Sequence, residues 1–411
     1  MPEEAASGDA LDFTRLEATA RIRGPGPMLE ELAAWLVAAH RWHALFDVRM
    51  VQARLSVGLP LTTNDTPGDE SVRALLDERS LAACREVGHG LLADGQVAAA
   101  WMYLRAAAPA EAVAERLAPL AARVLSADAG ATPDEDSSRL VDELLGVALW
   151  EAVDPALGIE IMLRTQGICA AITAFEQTVS RLPARRQEPA ARRLVNHLHG
   201  ELVRAVAESL DRSGIDPSAA THGPTPLAAL LESAVRAGTA PAIHVDVSHL
   251  QSVLRIARVC SDEATLRQAW ELAGYACRLP PDVTYPGEPP FENVGEASRL
   301  FFAASLGIDV AAAVAFFRQA AARSEPEQAG TLPGDVLVLL LTRAGRPGEA
   351  LHEALSRRGE SAAPSGMQAA GQLPSLIELA SASGEWELLL DACRRYGDAI
   401  TFAAAVTARG A

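Results

Sequence analysis

Lysine is absent from the sequence, so all 36 basic side chains among its 411 residues are arginines. That excludes a Schiff-base lysine, a pyridoxal phosphate anchor, a phosphate-loop lysine and the lysine of a protein kinase. Aromatic residues are also scarce, at 5%. The core must therefore be built from Ala, Leu and Val, and the β-branched and aromatic runs that mark strands are nearly missing. No GxGxxG, GxxxxGK, GxSxG or HExxH occurs, which removes the common nucleotide, hydrolase and zincin signatures. Cys84, Cys169, Cys260, Cys277 and Cys393 are odd in number and form no CxxC pair, so neither a disulfide framework nor a zinc ribbon is indicated. They read as small buried apolar residues in a reducing compartment.

Positive charge is in deficit as well, the formal net charge being −17. Long-range attraction to phosphate backbones or anionic lipid is thereby opposed, and neither a nucleic acid nor a membrane is expected as partner. The acidic first residues lack an apolar signal region, and no apolar run reaches the ~18 residues needed to span a bilayer, so a cytoplasmic protein is expected.

Apolar residues make up 49% of the chain, enough for two or three domains or one extended repeat array. Helical periodicity runs almost throughout. Met28 to Leu55 carries Leu29, Leu32, Leu36 and Val51 on one stripe and predicts a single long helix. Ser126–Ser138 is acidic and rich in small residues, as in a linker or long loop. Another break runs from Ser213 to Pro226, after which Gly238 closes a helix. Ser248 with Gln251 forms an expected capping box. The cluster Arg181, Arg185, Arg186, Arg192 and Arg193 reads as the solvated end of two helices flanking Pro183 and Pro189, with anion binding as the other possibility. The expected organisation is an N-terminal helical block (1–125), an acidic linker (126–138), a middle helical block (139–240) and a C-terminal hairpin array (241–411).

The strongest positional signal lies in the C-terminal third. SLGIDVAAAVAFF, RAGRPGEALHEAL and SASGEWELLLDAC align on Gly307, Gly345 and Gly384, in steps of 38 and 39 residues. Five residues on stand Ala312, Ala350 and Leu389, and nine on stand Phe316, Ala354 and Cys393. Leu300, Val338 and Ile377 stand seven before. Gly95, Ala100 and Leu104 occupy the same offsets earlier in the chain. The pattern is a helix, a Gly-centred turn and a second helix, repeated. It resembles the tetratricopeptide-like helical repeats, although the step exceeds their ~34 residues and their tryptophan and proline positions are mostly unfilled. The resemblance implies an α-solenoid that binds another protein or peptide on a concave helical surface.

Three constellations could carry chemistry. His40, His43 and Asp47, at spacings of three and four, fall on one face of the expected helix, where two imidazoles and a carboxylate could ligate a metal or form a base oriented by an acid. Loss of the helix from the core at His40 explains them equally. His244, Asp246 and His249 precede a helix start and could bind a metal or an anion, while capping accounts for Asp246. The proline-rich loop from Leu279 to Glu296 carries Tyr285, Glu288, Phe291 and Glu292 and reads as a binding loop or as a packing strap. His197, His199 and Glu201 form no cluster, and Glu151 sits on an apolar stripe either as a buried acid or at a helix end facing solvent before Asp154 and Pro155. Together these features predict an all-α protein of stacked helical hairpins with an irregular N-terminal bundle, acting as a cytoplasmic interaction scaffold without a cofactor. The alternative is a metal-binding protein or enzyme holding a divalent metal at the His and Asp clusters.

Overall fold

The computed structural model describes residues 11–61, 68–126, 134–218, 226–238, 244–323, 330–357, 367 and 372–410. All regular structure among the described residues is helical and none is strand, as the composition requires. No helix among them is long and apolar enough to cross a membrane. The chain divides into two compact units, Met1–Ile161 and Met162–Ala411. This division differs from the expected boundaries at 125/126 and 240/241. Residues 127–133 of the expected linker lie outside the described residues.

The first unit contains α1 (Phe13–Arg23), α2 (Pro25–Ala38), α3 (Trp42–Ser56), α4 (Glu70–Ala93), α5 (Val97–Ala107), α6 (Ala110–Leu125) and α7 (Glu135–Leu145). A π-helical turn, Gly146–Trp150, follows, and α8 (Pro155–Thr165) contains the division. Aspartates cap three of these helices: the Asp12, Asp69 and Asp134 carboxylates accept from the Arg15, Ser71 and Ser137 amides. Consecutive helices pack on one another from α1 through α7, and α5 also meets α7. Tight packing needs side chains to be missing at the contacts. A Cβ on Gly88 would lie 2.5 Å from Leu104 Cγ, and one on Gly90 would lie 2.5 Å from the Trp42 ring.

The single helix expected from Met28 to Leu55 is two helices. His40 adopts φ 54°, the Arg41 amide donates to Leu36 O at 2.9 Å and the His40 amide to Val37 O at 3.1 Å. These bonds close a Schellman turn, which reverses the chain after α2. Gly95, Gly307 and Gly345 close the same turn, with paired bonds from Gln96, Ile308 and Arg346 back to Leu91, Ala303 and Leu341. Gly384 reverses the chain through one bond to Ala380 O.

The second unit contains α9 (Ile168–Gln177), the 29-residue α10 (Ala184–Arg212), α11 (Pro226–Arg236), α12 (Val247–Ile256) and α13 (Glu263–Ala276). Then follow α14 (Val294–Ser305), α15 (Val310–Arg323), α16 (Leu332–Arg343), α17 (Pro347–Ser356), α18 (Leu376–Ser383), α19 (Trp386–Tyr396) and α20 (Ala399–Gly410). Helix α10 is the hub, packing against α9, α11, α12 and α13. Pro189 lies inside it and does not divide it, so the expected pair of helices around Pro183 and Pro189 is one helix preceded by Pro183. Its arginines are partly engaged, Arg192 pairing with Asp262 at 3.2 Å. From α13 to α20 each helix packs on the next, and α14, α17 and α18 also reach the helix after that.

The expected offsets are met in part: after Gly345 Leu355 is buried, while the expected Ala354 is half-buried, as are Leu300 and Ile377. Ala100, Leu104, Ala350, Leu389 and Cys393 are buried. After Gly307 the register slips by one, because Ile308 and Asp309 lengthen the turn and Asp309 takes φ 49°. Ala313 and Phe317 are buried there, whereas the expected Ala312 faces solvent.

One polar pair lies in this core. His199 Nε2 and Glu271 Oε2 are 2.8 Å apart and both side chains are buried, while Glu271 Oε1 accepts from the Ala228 amide at the start of α11. The pair bridges α10 and α13, which explains why His199 forms no cluster with its sequence neighbours. His197 pairs instead with Glu201 one turn on, at 3.3 Å. Glu151 is exposed, so it is not a buried acid.

Ala350 has no exposed surface on α17, which packs on both α16 and α18. Replacing it with Leu overpacks that crossing and is expected to cost about 1–3 kcal/mol in urea denaturation. A neutral result would show that the Gly345 hairpin does not need its small residue.

Candidate functional site

The histidine clusters are engaged in structure. His40 lies in the turn between α2 and α3, so the helical face expected to carry His40, His43 and Asp47 does not exist, and all three are exposed. His40 Nδ1 stands 2.8 Å from Asp94 Oδ1, and the Trp42 indole donates to the same carboxylate at 2.6 Å. His43 Nδ1 stands 2.8 Å from the Tyr103 hydroxyl. In the other cluster Asp246, not Ser248, is the N-cap of α12, its Oδ1 accepting from the Ser248 amide at 2.8 Å and from the Ser248 hydroxyl. These bonds hold the Asp246 carboxyl below its ordinary range. The His244 amide donates to the Tyr275 hydroxyl at 2.9 Å, and burial, aided by Arg212, pushes the His244 ring below its ordinary pKa. Among the described residues no group of three or more His, Cys, Asp or Glu is placed to hold a metal ion.

The proline-rich loop leads elsewhere. Together with α9, the start of α10, α12 and α16 it encloses a cavity of about 560 Å³ in the second unit. Tyr285, Glu288 and Phe291 line it, and Glu292 does not. The loop is held at both ends of its turn, where the Gly287 amide donates to Glu292 O at 3.1 Å and Gln251 Nε2 donates to Tyr285 O at 2.7 Å. Gln251 therefore clamps this loop instead of closing the expected capping box. A Cβ at Gly287 would lie 2.3 Å from Phe291 O, so the turn is closed to larger residues.

Phe291 is buried and anchors the loop. Its ring stands 5.6 Å from that of Phe317 and 6.3 Å from that of Phe301, which in turn packs on Phe302. Aromatic side chains, scarce elsewhere, are concentrated behind the cavity wall.

On the cavity side of Phe291 lies Arg258, its guanidinium carbon 3.4 Å from the ring centroid. Arg258 Nε is buried with no hydrogen-bond partner, and among the described residues the guanidinium forms no ion pair. Its neighbour Arg255 is satisfied by Glu176. Behind it, Arg343 Nη2 donates to the Arg258 carbonyl at 2.7 Å. Burial pushes the Arg258 guanidinium down to about 9, with the charge of Arg255 acting in the same direction and that of Glu288 against it. Burial likewise brings Arg343 down to about 10 and, with the carboxylates of Glu188 and Asp262, raises the Cys260 thiol to about 12. Among the described residues Arg258 thus has no ion-pair partner at the cavity, the Glu288 carboxylate acting on it without forming an ion pair.

Its walls are mixed. Phe175, Val294, Leu332 and Val336 supply apolar surface, and Ser180, Ser248, Ser252 and Gln187 supply polar groups. Gln187 is tied down, donating to Ser180 O at 3.0 Å and accepting from Gln372 at 3.2 Å. Ser252 Oγ accepts from Arg255 Nη2 at 3.3 Å, which leaves the Ser252 proton free to donate. None of the cavity serines hydrogen-bonds a histidine among the described residues, so the lining contains no activated nucleophile of the Ser–His kind. An unpaired guanidinium on an aromatic face, beside hydroxyl donors and apolar walls, is equipped to bind an anion.

Arg258 was not among the residues singled out in the sequence, yet a signal exists. It stands four residues after Leu254 and eight after Leu250, a basic group on a stripe whose other members are buried. The 3-10 turn Ala257–Val259 ends α12 there and turns the side chain onto Phe291. No protein-family model matches the chain, and no curated protein and no solved structure matches it.

An uncompensated buried cation costs several kcal/mol in desolvation, while a stack on an aromatic ring returns about 2 kcal/mol. Arg258→Met is accordingly expected to stabilise the unliganded chain by about 1–3 kcal/mol in urea denaturation. Destabilisation of that size would make Arg258 a packing residue.

Proposed function

We propose that the chain is a helical-repeat interaction scaffold of the cytoplasm, tetratricopeptide-like in its C-terminal part, that holds another protein or peptide on a concave helical surface without catalysing a reaction. The recurrent left-handed turns at Gly307, Gly345 and Gly384 support the repeat reading, as does the packing of each helix from α14 to α20 on its successor. Stacked hairpins of this kind offer extended surfaces and few enclosed reaction sites. The strong negative charge disfavours nucleic acid and anionic membrane as partners.

The observation that carries the reading is the last helix. In α20, AITFAAAVTARG, Ala405 alone is buried, while Ile400 is 85% and Val406 is 49% exposed. Exposed apolar side chains such as these offer a surface to a partner. Tyr396, at the end of α19, adds exposed aromatic area beside it.

Photo-crosslinking from position 400 in the full chain, in cytosol, should give one discrete protein adduct, whereas the same probe at exposed Arg185 should not. With the purified partner, Ile400→Glu should weaken binding at least about tenfold, the loss expected when a buried apolar contact becomes a charge. Equal labelling from both positions, or unchanged affinity for Ile400→Glu, would remove the scaffold reading.

A further inference from the structure

We propose that the cavity beneath the proline-rich loop is a small-molecule site for an apolar carboxylate, whose carboxylate accepts hydrogen bonds from the Arg258 guanidinium while its hydrocarbon or aryl body lies against Phe175, Val294 and Val336. The geometry assigns each half of such a ligand to a different wall. The guanidinium is stacked on Phe291 at 3.4 Å, which fixes its plane, and its Nε has no partner within the protein. A planar fork held in this way matches a carboxylate. Ser252, whose oxygen already accepts from Arg255, can donate its proton to the same anion.

The charges of the lining disfavour a multiply charged anion. Arg255 is neutralised by Glu176, which leaves one cation, and Glu288 stands on the loop at the cavity wall. A dianion such as inorganic phosphate would meet one guanidinium, already opposed by the Glu288 carboxylate, a poor match for its charge and its many acceptor oxygens. The apolar walls give a wholly polar anion little to bury. The volume of about 560 Å³ falls within the ~300–1,000 Å³ of small-molecule sites. Occupation would also supply the counter-ion that Arg258 lacks, so binding and stability are linked through this residue.

This site is independent of the uncovered α20 surface, so either proposal can fail without the other. The test is calorimetric titration of the full chain with octanoate, phenylbutyrate and naphthylacetate, each beside its primary amide, and with inorganic phosphate. At least one acid should bind saturably, with its amide at least about tenfold weaker, because the amide keeps the body and loses the charge. Arg258→Met, checked for unchanged helicity by circular dichroism, should abolish the difference between acid and amide. Should that variant fail to fold, the ratio on the unaltered chain decides, together with Ser252→Trp, which fills the cavity and should abolish acid binding. Equal affinity for acid and amide would overturn the proposal. So would tighter binding of phosphate than of every acid, or no saturable binding of any acid at concentrations on the order of 1 mM.

Discussion

Close approach between helices is the constraint on which the structure depends. With few aromatic side chains to fill space, helices made of Ala and Leu gain dispersion energy only by coming near one another, and each contact needs a small residue or none. Gly88 and Gly90 satisfy this in the first unit, where Leu104 and Trp42 occupy the places of missing Cβ atoms. Ala350 does so in the second unit. The same constraint shapes the turns. Hairpins packed this tightly must reverse within a few residues, and a left-handed residue closing a Schellman turn recurs at His40, Gly95, Gly307 and Gly345.

Four of the nine phenylalanines are packed together. Phe291, Phe301, Phe302 and Phe317 form a cluster that fixes the proline-rich loop and presents one ring face to the cavity. Arg258 is pressed against that face and is left without a counter-ion, at a cost that a helix of purely apolar residues would avoid. The buried His199 is paired with Glu271, and the exposed Arg255 with Glu176. Other buried groups also have a partnerless atom, Arg343 Nη1 and Arg357 Nε among them, and Arg258 differs from these two in lining this cavity.

Much of the fold was legible in the sequence, because helical periodicity and glycine are local signals. Gly307, Gly345 and Gly384 announced their turns since only a residue tolerant of positive φ fits there. His40 announced nothing, being a histidine in a conformation usually given to glycine, and the apolar stripe running past it suggested one helix where two exist. Asp309 likewise hid the one-residue slip that exchanges Ala312 for Ala313. Of the candidate site, the loop with Tyr285, Glu288 and Phe291 could be read from its prolines and aromatics. Arg258 could not be placed so directly, because its partner ring lies 33 residues away and a 3-10 turn redirects it. The pairs His199–Glu271 and His43–Tyr103 are also long-range, and no local spacing encodes them.

Crystallography of the full chain with brominated phenylbutyrate tests the central claim most directly, since the anomalous signal of bromine locates the ligand without reference to affinity. A bromine peak is expected in the cavity among Phe175, Val294 and Val336, with the carboxylate on the Arg258 guanidinium at a charge-assisted distance of about 2.7–2.9 Å. A peak elsewhere, with Arg258 still unpaired beside Phe291, would contradict it.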